Sequence, residues 1–92
     1  MGTHGAIFVQ GKKLLEVTLD GDMIPPFVVK LKPKLQGKST RMIKKILVDE
    51  IIAEWSGVEL EEEFEDEEEY YVDIKKVGGK WEIYGMSYGK IT

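Results

Sequence analysis

Gly5-Ala6-Ile7-Phe8-Val9-Gln10-Gly11-Lys12-Lys13-Leu14-Leu15-Glu16-Val17-Thr18-Leu19 is the stretch on which the fold turns. Gly5 to Gln10 is an apolar run of strand length, and Gly11-Lys12 is a two-residue turn signal. From Lys13 to Leu19 the chain alternates, with Leu15, Val17 and Leu19 on one face and Leu14, Glu16 and Thr18 on the other. That pattern predicts a β-hairpin with one buried face. Asp20-Gly21-Asp22 ends it and Ile24-Pro25-Pro26 follows. Two prolines cannot continue a central strand, because neither can donate to the ladder.

Working outward, Phe27 to Gln36 admits two readings. Val28, Val29 and Leu31 favour an edge strand alternating with Lys30, Lys32 and Lys34. Alternatively Pro25 or Pro26 opens a short helix that ends at Gly37, with Pro33 inside it at a cost of about 3 kcal/mol. The next segment is clearer. Ser39 and Thr40 are N-cap candidates for a helix from Arg41 to Trp55, in which Ile43, Leu47, Ile51 and Trp55 recur every four residues. Ile46, Val48 and Ile52 widen that stripe beyond what one sheet contact needs. Tyr70, Val72 and Ile74 then alternate with Tyr71, Asp73 and Lys75. Gly78-Gly79 turns the chain, and Trp81 and Ile83 return on one face. Trp81 is therefore expected in the core. The sum is an α+β fold: two β-hairpins forming a largely antiparallel sheet, with one main helix and room for a second short one packed on one face.

With 92 residues, the chain reads as one domain, residues 1–92, with a single thin core. The absence of cysteine excludes a disulfide scaffold, a thiol nucleophile and thiolate metal sites; one histidine excludes most His-based metal sites. No cofactor and no metal site are expected. No apolar run approaches the roughly 20 residues of a membrane span, and no cleavable signal segment opens the sequence, so the expected location is cytoplasmic. The net charge of −4 conceals a strong asymmetry. Nine of the eleven residues from Glu59 to Glu69 are acidic, and without them eight acids face thirteen bases, a net +5. Lys30, Lys32, Lys34, Lys38, Arg41, Lys44 and Lys45 fall in a stretch with no acid between Asp22 and Asp49.

The opening Met1-Gly2-Thr3-His4-Gly5, the short hairpin, Asp20-Gly21, and the later Glu68-Glu69-Tyr70 and Gly78-Gly79-Lys80 form a series. It resembles a group of small proteins of phages, prophages and microbial genomes that begin Met-Gly-Thr-Arg and carry an Asp-Gly-Tyr-Pro motif after the first hairpin. His4 stands where that group has arginine, and Asp22-Met23-Ile24-Pro25 stands where Tyr-Pro would follow Asp-Gly. The resemblance implies a short helix after Pro25-Pro26. It carries no activity across.

Three sets of residues are candidates for function. Hairpin geometry puts His4 beside Asp20, a His–carboxylate pair suited to acid–base work; the plainer alternative is a surface histidine and a turn aspartate. Glu61, Glu62, Glu63, Glu65, Asp66, Glu67 and Glu68 present carboxylates at a density comparable to a phosphate chain. They suit either a solvated segment or a mimic of nucleic acid that inhibits a basic nucleic-acid-binding protein. The basic stretch lacks interleaved aromatics and the pI is near 5.0, so direct nucleic-acid binding is not expected. Finally, Met23, Met42, Val48 and Ile52 are expected at a homodimer seam. The resulting expectation is a small non-catalytic, self-associating binding protein of phage or prophage type. The acidic mimic is the first alternative, and an enzyme using His4 and Asp20 the weaker one.

Overall fold

In the computed structural model, residues 4–60, 70–85 and 89–90 are described. The first hairpin pairs β1 (Gly5–Val9) with β2 (Lys12–Val17). Its turn is Gln10-Gly11, one residue earlier than the Gly11-Lys12 read from the sequence. Both turn residues are left-handed, with φ of 54° and 83°, which matches the twist of a tight hairpin. The pairing slips between Ile7, opposite Leu15, and Phe8, opposite Lys13. Leu14 is thus an extra residue in β2, a bulge that leaves Leu15 and Val17 facing the core.

Residues Gly21–Met23 form a single 3-10 turn and lead into α1 (Ile24–Leu35). The helical reading of this segment prevails over the edge strand. Pro25 and Pro26 lie in the first turn, where their missing N–H groups have no intrahelical partner to lose. Ile24, Val28, Leu31 and Leu35, spaced four, three and four apart, are all buried. That stripe of core contact is what tolerates Pro33 in the last turn. After a linker at 36–39, α2 (Thr40–Glu54) begins at Ser39, whose hydroxyl accepts the Met42 N–H at 3.2 Å. Ile43, Leu47 and Ile51 form its buried ridge, and extended Trp55 ends it.

The sheet is completed by β3 (Val58–Glu59), β4 (Tyr70–Val77), β5 (Lys80–Gly85) and β6 (Gly89–Lys90), in the order β3-β2-β1-β4-β5-β6. Four main strands make up its body, with the two-residue strands at its edges. The two expected hairpins are present, but the largely antiparallel sheet needs correction, because β1 and β4 pair in parallel and the sheet is mixed. A parallel neighbour requires a crossover, and the connection from β1 to β4 runs through β2, both helices and β3. Ile7, Val9, Leu15, Val17, Val72, Ile74, Trp81 and Ile83 meet the ridges of α1 and α2 in one hydrophobic cluster. Trp81 is fully buried.

One side chain finishes the β5 edge. Gln36 donates through Nε2 to the Trp81 carbonyl at 2.9 Å and accepts the Trp81 N–H on Oε1 at 3.0 Å. Its amide thus pairs with Trp81 as a neighbouring strand would and blunts an open edge. The Trp81 indole N–H donates to the Lys38 carbonyl at 2.9 Å. Among the described residues no helix is long and apolar enough to cross a membrane.

Candidate functional site

The four-residue linker forces α2 to run back along α1, so the start of α1 stands beside the end of α2. Phe27 and Trp55 meet there edge to face, with ring centroids 5.0 Å apart and planes at 79°. The Asp20 carbonyl fixes the arrangement by accepting the Met23 N–H at 3.0 Å and the Trp55 indole N–H at 3.3 Å. Asp20 itself has a φ of 55°, a left-handed conformation that aspartate adopts more readily than most residues. Between these groups lies a cleft of about 240 Å3, lined by Asp20, Met23, Pro26, Phe27, Lys30, Glu54 and Trp55. Its walls are apolar and aromatic; its charges are two carboxylates and one ammonium. Among the described residues none of these three charges enters an ion pair.

His4 lies elsewhere, on the sheet face away from the helices. Its Nδ1 is 3.9 Å from the carboxylate of Glu16, and Glu16 in turn accepts from the Lys13 ammonium at 3.3 Å. Glu16 alternates with Leu15 and Val17, so it must point away from the core they enter, yet its side chain is only 5% exposed. The carboxylate beside His4 is thus that of Glu16, and no ion pair joins His4 to Asp20 among the described residues. The reason is local. Strand pairing stops at Val17, and the Asp20–Met23 turn carries Asp20 to the start of α1. The His4–Glu16 separation exceeds a hydrogen bond, and Nδ1 makes none among the described residues.

A second groove, about 450 Å3, lies at the far end of α1 between Lys32, Pro33, Gln36, Gly37 and the turn residues Gly79, Lys80 and Glu82. Lys32 and Glu82 pair across it at 2.9 Å. Of the expected seam residues, Met23 and Ile52 are half-exposed at the cleft end, at 53% and 51%. Met42 is exposed ten residues before Ile52, about 15 Å along the axis, with the Lys45–Asp49 ion pair between them. Val48 is partly covered against the core. The seven acidic candidates, Glu61, Glu62, Glu63, Glu65, Asp66, Glu67 and Glu68, lie outside the described residues. Among the described residues no group of three or more His, Asp or Glu side chains could hold a metal ion.

Sequence reasoning reached Asp20 and Met23 at this cleft but for other roles, and it missed Phe27, Lys30 and Glu54 while placing Trp55 in the core stripe. The signal that finds them is the short linker. Once Phe27–Gln36 is read as helix, four connecting residues leave only an antiparallel pair, and residues near 27 must stand beside those near 55. No known protein family, curated protein or solved structure matches the chain.

Proposed function

We propose that the chain is a non-catalytic binding protein of the cytoplasm that self-associates as a dimer, of the phage or prophage kind that its opening and closing motifs resemble. The observation that carries this reading is the apolar surface left open on the helical layer. Met23 is half-exposed where it lines the cleft with Pro26 and Trp55, and Ile52 near the end of α2 and Met42 near its start are exposed as well. Exposed apolar side chains on the helical layer of a small protein favour an interface there. Two-fold pairing is the commonest closed arrangement, and it lets each copy cover the same side chains on the other.

Light scattering coupled to size exclusion at micromolar concentration tests the reading. The expected mass is twice the 10.5 kDa of the chain, and the double variant Met23→Glu/Ile52→Glu is expected to elute as a monomer with an unchanged melting temperature. A wild-type mass near 10.5 kDa that does not rise on concentration removes the dimer.

A further inference from the structure

We propose that the cleft between the start of α1 and the end of α2 binds a small quaternary ammonium compound. Phe27 and Trp55 form its corner, with ring planes almost perpendicular and centroids 5.0 Å apart. Aromatic rings attract cations through the negative potential of their faces, and alkylated ammonium groups are bound in this way because their methyl surface is apolar while the charge remains. Met23 and Pro26 supply apolar walls for such methyl groups. At about 240 Å3 the cleft falls below the roughly 300–1,000 Å3 of sites for drug-sized ligands, which suits a headgroup.

The charges select the sign of the ligand. Asp20 and Glu54 line the cleft against Lys30 alone, a balance of −1, and neither carboxylate is committed to an ion pair among the described residues. An anion would meet two carboxylates, and a neutral apolar ligand would strip water from them without compensation. A cation gains from both the rings and the acids. The Trp55 indole N–H is already given to the Asp20 carbonyl. The ring is therefore held in place before binding, and that N–H is not free to attract an anion. Preorganisation of this kind lowers the entropic cost of binding. Lys30 works against the ligand, so its removal is a test of sign. The lining residues belong to one chain, and Met23 is shared with the proposed seam, so ligand and second copy compete for it.

The chain has two tryptophans, and Trp81 is fully buried while Trp55 lines the cleft. A ligand-dependent change in tryptophan emission therefore reports the cleft. Choline chloride is titrated at constant ionic strength beside 3,3-dimethylbutan-1-ol, which has the same shape without the charge. The expected result is saturable binding of choline, about tenfold tighter than the alcohol. Glu54→Gln, on an exposed side chain, is expected to weaken choline severalfold, and Lys30→Ala to tighten it. Equal affinity for the alcohol would reduce the cleft to an apolar pocket and overturn the proposal. So would the absence of a saturable signal with choline, or a weakening in Lys30→Ala with a folded far-UV spectrum.

Discussion

Gly21 and Gly5 stand back to back where the 3-10 turn crosses the start of β1. A side-chain carbon added to Gly21 would fall onto the main chain of His4 and Gly5. Backbone atoms cannot swing aside as the tip of a side chain can. Gly21→Ala is therefore expected to cost about 3 kcal/mol or more, in the range reserved for overpacking at a buried site. Thermal unfolding followed by circular dichroism checks it, and a loss under about 1 kcal/mol would show that the turn can lift away from β1. In the sequence, Asp20-Gly21 reads as ordinary turn chemistry. That reading explains the left-handed Asp20 but not the glycine, whose requirement arises from a segment sixteen residues earlier in the chain. Glu16 shows the same limit. Its place on the alternate face of β2 is legible, whereas its burial beside His4 and Lys13 depends on what the whole face gathers.

At the scale of elements, what could be read locally was read: two hairpins with glycine turns, and a serine-capped helix with a four-residue ridge. The parallel pairing of β1 with β4 left no such mark. β4 alternates as an antiparallel strand does and β1 is a short apolar run. Neither pattern fixes their relative direction, which depends on how the chain passes from β1 through β2, both helices and β3 to β4. The identity of α1 was undecided for a related reason. Its β-branched residues and Pro33 favour extension, and the helix prevails because it buries Ile24, Val28, Leu31 and Leu35 together. The candidate cleft was illegible for the same cause, since it exists only once that segment is helical. If tertiary burial overrides an unfavourable proline, removing the proline should add stability. Pro33 is exposed, so Pro33→Ala restores a backbone donor in the last turn with little change in packing. The expected gain is about 1–2 kcal/mol, the interior penalty being lessened by position near the helix end and by the looser unfolded chain. A melting temperature lowered by the substitution would mean that Pro33 shapes the groove with Gln36 and Lys80 more than it disturbs α1.

Over the whole molecule, the acidic run from Glu59 to Glu69 faces a body of net charge +5, and that contrast invites the idea that the two are paired. The ion pairs of the body argue otherwise. Within the basic stretch, Lys32 already holds Glu82, Lys34 holds Glu50 across the two helices, and Lys45 holds Asp49 within α2. Three of its seven bases thus have partners that owe nothing to the acidic run. Exposed ion pairs contribute about 0–1 kcal/mol each, so even a few further surface pairs with the run would carry little of the folding free energy. The carboxylates of the run, by contrast, repel one another at close spacing in any conformation. Replacing Glu61, Glu62, Glu63, Glu67 and Glu68 by glutamine takes the net charge from −4 to +1. The expected outcome at low salt is a melting temperature that is unchanged or raised by a few degrees. A fall beyond about 5 °C corresponds to roughly 1 kcal/mol for a chain of this size. It would show that the run is held against the basic stretch and is part of the fold, and adding salt to the wild-type protein would then lower its stability in parallel, since screening weakens pairing and repulsion alike.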